Sequence, residues 1–141
     1  MLRLKRIQTV RLLLILATPV LLNLVTPAKL PAATIIPIQE ERFVKLGGIE
    51  QWITIRGANR SNPVLLIVHG GPGDAQSSLR STYAIYENDF TIVQWDQRGA
   101  GRTYAKNPNS PPEPETVELD GIELARYLCD YLGKKKIVLL G

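Results

Sequence analysis

His69-Gly70-Gly71-Pro72-Gly73 sets an imidazole, three glycines and a proline directly after the apolar run Val64-Leu65-Leu66-Ile67-Val68. Glycine admits positive φ and proline fixes one φ, so such a turn can aim backbone N–H groups at a ligand instead of pairing them in a ladder. Donors held in this way stabilise an oxygen that gains negative charge during acyl transfer. The rest of the apparatus for covalent hydrolysis is missing, because the chain has a single histidine and Ser-His-Asp catalysis needs an imidazole to take and return the serine proton. His69 acting on Ser77 or Ser78 is rejected: a histidine that leads into a tight glycine turn is expected to hold the loop by hydrogen bonding.

A second glycine turn, Asp96-Gln97-Arg98-Gly99-Ala100-Gly101-Arg102-Thr103, follows the run Phe90-Thr91-Ile92-Val93-Gln94-Trp95. Its expected role is architectural, with Asp96 accepting local backbone N–H groups and Arg98 reaching a carboxylate or free carbonyls at the loop base. Gly99 and Gly101 match two positions of a dinucleotide fingerprint, but Tyr104 stands at the third and prolines rather than a helix are expected next, so that reading fails. Cys129 is the only cysteine, which excludes an internal disulfide or a cysteine metal cluster. Glu118, Asp120 and Glu123 read as water-facing acids near the start of a helix, where the dipole favours them, and not as a pair for acid/base chemistry.

The elements that must position these loops follow from periodicity. Residues 42–46 and 49–55 alternate in polarity around Gly47-Gly48, predicting an antiparallel β-hairpin. The two continuous apolar runs before the glycine turns predict buried parallel strands, joined by a weak helix over about 77–88. Residues 107–115 carry Pro108, Pro111, Pro112 and Pro114 and read as a surface connection. A helix is predicted from near Thr116, with Val117, Ile122, Leu124, Ala125, Leu128 and Leu132 as its apolar stripe and Gly133 as its stop. Residues 136–140 read as another buried strand. The fold class is therefore α/β, a mostly parallel sheet with an antiparallel edge hairpin and loops at the carboxyl ends of its strands, where such sheets place ligands.

Residues 1–28 carry Arg3, Lys5, Arg6 and Arg11 ahead of an apolar stretch from Leu12 to Leu22 and end on Thr26-Pro27-Ala28. This is the pattern of an export signal cleaved after Ala28, with an uncleaved membrane anchor as the alternative. Residues 29–40 then form a linker and 41–141 the domain. The chain carries a net charge of +4, which the four unopposed cations of the signal account for. The mature chain is expected near neutrality, and no nucleic-acid partner is expected.

The loop at 69–73 resembles the oxyanion loop of the proline iminopeptidase-like branch of the α/β hydrolases, and Asp96-Gln97-Arg98-Gly99-Ala100-Gly101-Arg102-Thr103 resembles a second segment of that branch, with Thr103 where serine is usual. The strand ending in Gly141 resembles the start of a G-x-S-x-G nucleophile elbow. The resemblance implies the amino-terminal half of an exported serine hydrolase for esters or amides, with a small-molecule or peptide substrate and no metal or organic cofactor. It implies Gly71 and Gly70 as oxyanion donors and His69, Pro72, Gly73, Asp96, Arg98, Gly99 and Gly101 as structural supports. Nucleophile and base would lie beyond residue 141, so the domain is expected to be truncated before the elbow and inactive alone. A non-catalytic exported binding domain and a non-functional shortened product are the alternatives.

Overall fold

A computed structural model describes residues 34–71 and 73–141. The expected signal at 1–28, the first part of the linker and Pro72 lie outside the described residues. Five strands form one sheet in the order β1-β2-β4-β3-β5. Strands β1 (Ile38–Leu46) and β2 (Ile49–Gly57) form the hairpin, turning at Gly47 and Gly48 with φ of 53° and 82°, values that glycine adopts without the steric cost of a Cβ. The hairpin is the antiparallel edge, and β2 pairs antiparallel with β4 (Thr91–Asp96). Strand β3 (Val64–Ile67) is parallel to β4 on one side and to β5 (Val138–Leu140) on the other.

Strand β1 begins at Ile38, inside the stretch assigned to the linker, because Ile38 pairs with Gly57 and buries its side chain in the core. The crossover from β3 to β4 is not one helix. It contains a four-residue helix, α1 (Arg80–Tyr83), and a single 3-10 turn (Ala84–Tyr86), neither of which buries a residue. Without an apolar stripe to press against the sheet, nothing extends the helix. A six-residue helix, α2 (Gly101–Lys106), follows the second glycine turn where prolines and no helix were expected.

Helix α3 (Pro114–Leu132) starts two residues earlier than predicted, with Pro114 in its first turn, where the missing N–H costs nothing. Gly133 ends it at φ 66°. Leu124, Leu128 and Leu132 are buried against Ile53, Ile55, Val64, Leu66, Val93 and Trp95, each worth about 1.5–3 kcal/mol of transfer free energy. Ile122, assigned to this stripe, is exposed, since it lies two positions before Leu124 and faces away from it. Because side chains alternate along β3, Val64 and Leu66 meet α3 while Leu65 and Ile67 pack with Ile92, Tyr83 and Phe90 beneath the crossover.

Candidate active-site scaffold

The carboxyl ends of β3, β4 and β5 bring the two glycine turns and Gly141 to one side of the sheet. The Val68 N–H donates to the Leu140 carbonyl at 2.7 Å, and a Cβ on Gly141 would stand 3.2 Å from the Val68 carbonyl oxygen. The first turn therefore begins beside the end of β5.

His69 is buried at the start of that turn. The Gln97 backbone N–H donates to its Nε2 at 3.3 Å, and the Gln97 side chain donates to its carbonyl at 2.8 Å. An Nε2 that accepts places the ring proton on Nδ1, which lies 3.4 Å from the Gly70 carbonyl oxygen. Both ring nitrogens are thus engaged with backbone, and Ser78 hydrogen-bonds instead to the Ala75 carbonyl. The imidazole is not joined to either serine. Gln97, to which the sequence pattern assigns no role, is the residue that ties the first turn to the second.

Beyond His69 the backbone opens. Gly70 and Gly71 are exposed, a Cβ on either would meet nothing within 4 Å, and among the described residues neither N–H meets a protein acceptor. Gly71 has φ 71° and Gly73 φ 86°, so the turn needs residues without a Cβ. The turn is held at its base by the buried hydrogen bonds between His69 and Gln97.

Asp96 and Arg98 build the second turn. Asp96 Oδ2 accepts the Arg102 N–H at 2.9 Å, and the Thr103 hydroxyl donates to the Asp96 carbonyl while accepting the Trp52 N–H at 2.8 Å. Gly101 has φ 46°, and a Cβ there would lie 2.3 Å from Asp96 Oδ2 and 2.6 Å from the Ala75 methyl, so this glycine lets the two turns interlock. A Cβ on Gly99, also at positive φ, would strike the Pro112 ring at 2.9 Å.

Arg98 points to the other face of the sheet. Its Nε donates to Asp120 Oδ2 at 2.9 Å and its Nη2 to Asp120 Oδ1 at 3.2 Å and the Gly47 carbonyl at 2.9 Å. Gln51 donates to Asp120 at 2.6 Å and accepts the Trp95 indole N–H at 2.9 Å. Asp120 is therefore fully buried, not a water-facing acid as its helix position suggests. Four and eight residues before Leu124 and Leu128, it stands on the buried stripe, and that register is the signal that could have found it. Glu118 and Glu123 are exposed as expected, and Glu123 accepts the Gly47 N–H at 2.7 Å.

On the face of β2 and β4 beneath the crossover, Arg56 donates to Gln94 at 2.9 Å and pairs with Glu87 at 3.2 Å. Burial pushes the Arg56 guanidinium below its usual pKa, against the opposing charge of Glu87. Among the described residues no group of three His, Cys, Asp or Glu side chains is placed to hold a metal, and no helix is long and apolar enough to cross a membrane.

No family model matches the chain. It is 34% identical over 115 residues to a Bacillus subtilis protein named "Probable aminopeptidase YbaC", covering 79% of this chain and 35% of that protein. It is 31% identical over 104 residues to a proline iminopeptidase of Thermoplasma volcanium, covering 72% and 33%. Among solved structures it matches a proline iminopeptidase-related protein of Thermus thermophilus at 26% identity and TM-score 0.53, covering 72% of this chain and 35% of that one. An epoxide hydrolase of Vigna radiata matches at 26% identity and TM-score 0.52, covering 72% and 29%. The chain spans about a third of the length of the curated relatives it matches.

Proposed function

Because this chain belongs to the α/β hydrolase superfamily, with its likeness to the proline iminopeptidase-like branch, we propose that it supplies the oxyanion-binding part of a serine hydrolase acting on an ester or an amino-terminal amide. The observation that carries this reading is the turn after β3. Gly70 and Gly71 are exposed and a Cβ on either would meet nothing within 4 Å, on a base fixed by His69 and Gln97, next to the end of β5. In this reading a serine supplied by residues that follow Gly141 attacks the carbonyl. Gly71 and Gly70 then share the developing negative charge with the N–H of the residue after that serine. The base also comes from beyond residue 141, since the one imidazole of this chain is bound to the Gln97 backbone. In this reading the 141 residues alone are inactive.

Kinetics of the continuous enzyme test the donor role. Gly71→Ala keeps the N–H but places a Cβ at φ 71°, which shifts the donor. A loss of about 10²–10³-fold in kcat, the usual cost of one misplaced oxyanion donor, with KM little changed, is the expected result. Unchanged kcat refutes the assignment.

We also propose that residues 1–28 direct export and are removed after Ala28. The supporting pattern is the cationic stretch, the apolar stretch and the small residues at 26–28. Expressed in a bacterium with this amino terminus, the protein should be recovered outside the cytoplasm beginning at Lys29. A membrane-bound product retaining Met1 would mean an anchor, and a cytoplasmic one with Met1 would contradict export.

A further inference from the structure

Residues 70–75, the span that carries the first glycine turn, have little of their own to fix them. Among the described residues they share one backbone–backbone hydrogen bond, from the Ala75 N–H to the Gly73 carbonyl at 3.1 Å. Gly70, Gly71, Gly73 and Asp74 are exposed. Glycine loses more conformational freedom on ordering than any other residue. The place of such a span is therefore set by what holds its two ends.

Both ends are held from β4 by a side-chain amide. At the entry, Nε2 of Gln97, the first residue after the strand, donates to the His69 carbonyl at 2.8 Å. At the exit, Gln94 Nε2 donates to the Gln76 carbonyl. Both glutamines are buried, Gln94 at 1% and Gln97 at 8% exposure. Neither amide turns over without loss. Turning Gln97 would set its oxygen against the His69 carbonyl, and Gln94 Oε1 accepts the Arg56 Nη2 at 2.9 Å, which leaves its NH2 for Gln76. Each end also has a second tie, from the Gln97 N–H to His69 Nε2 and from the Tyr83 hydroxyl to Gln76 Oε1 at 2.6 Å. The base is firm, because all of β4 is buried and it pairs with β2 on one side and β3 on the other.

We propose that Gln94 and Gln97 are positioning residues for this turn, two amide donors at opposite ends of residues 70–75 that set where Gly70 and Gly71 stand. They act through the Gln76 and His69 carbonyls and touch no substrate. The effect on turnover rests on the oxyanion reading of the turn, whereas the hold on the turn stands apart from it.

Two substitutions each remove one donor. Gln94→Glu keeps the acceptor that Arg56 needs, and Gln97→Met keeps a flexible side chain of similar length together with the backbone N–H. Native-state digestion of the 141-residue chain with a protease of broad specificity reads the hold directly, because cutting tracks the population of the opened segment. Cutting within residues 70–79, taken as a ratio to cutting within the loop at 107–113, should rise about three- to tenfold in each variant, the factor that one buried hydrogen bond is worth. A variant that is cut everywhere is replaced by Gln94→Met or Gln97→Glu. In the continuous enzyme each variant should lower kcat about tenfold with KM little changed, less than the loss of a whole donor costs. A ratio unchanged in either variant overturns the proposal whatever the kinetics show. Full kcat in both glutamine variants, or a loss carried by KM alone, overturns it and leaves the oxyanion reading standing if Gly71→Ala still lowers kcat. Full kcat in all three variants overturns both.

Discussion

At the scale of single residues, the turn at Gly47 holds more of the fold than its exposed position suggests. A Cβ there would lie 1.8 Å from Asp120 Oδ1 and 2.7 Å from Arg98 Nη2, so any side chain would part the buried ion pair. Losing the geometry of such a pair leaves charges buried and uncompensated, at a cost of about 3–5 kcal/mol. Gly48 is the control. Its φ of 82° is as demanding, but a Cβ there meets nothing within 4 Å, so Gly48→Ala should cost only about 1–2 kcal/mol from backbone strain. Urea titration of the two alanine variants should rank them in that order. Equal losses would show that the Arg98–Asp120 contact is not what Gly47 protects.

Among the described strands, β5 is the exposed one. It pairs with β3 on one side only, and Val138, Leu139 and Leu140 are 47%, 61% and 45% exposed. An unpaired apolar edge is a template for another chain. Size-exclusion chromatography with light scattering on residues 29–141 should therefore find oligomers, and Leu139→Lys should shift them toward monomer. A cooperatively melting wild-type monomer would contradict this. The same elements show what is legible in advance. The strands are readable because β-branched runs and glycine turns carry a local signal, and Gly133 marks the end of α3 for the same reason. Asp120 escapes such a reading because acids near a helix start usually face water, and here a partner 22 residues away in sequence, Arg98, outweighs that preference. The crossover falls short of the expected helix because its local propensity has no buried stripe behind it. Around the first turn, the glycines are legible as a group, whereas Gln97 acts through a backbone contact that no residue pattern displays.

At the scale of the whole molecule, the labour of the proposed hydrolase is divided unevenly. The described residues of the two glycine turns are cross-braced, from Ala75 against Gly101 to Arg98 against α3. The single imidazole, in contrast, is committed to the Gln97 backbone, and no serine is activated beside it. In the proposed hydrolase the scaffold is thus separate from the reactivity. Fluorophosphonate labelling tests this separation most directly, because the probe reacts only with a serine that a neighbouring base has activated. The folded 141-residue chain should remain unlabelled at Ser77, Ser78 and Ser81, while a continuous chain carrying a Ser-x-Gly elbow and the residues after it should label once, at that elbow serine. Stoichiometric labelling of the 141-residue chain itself would contradict the account.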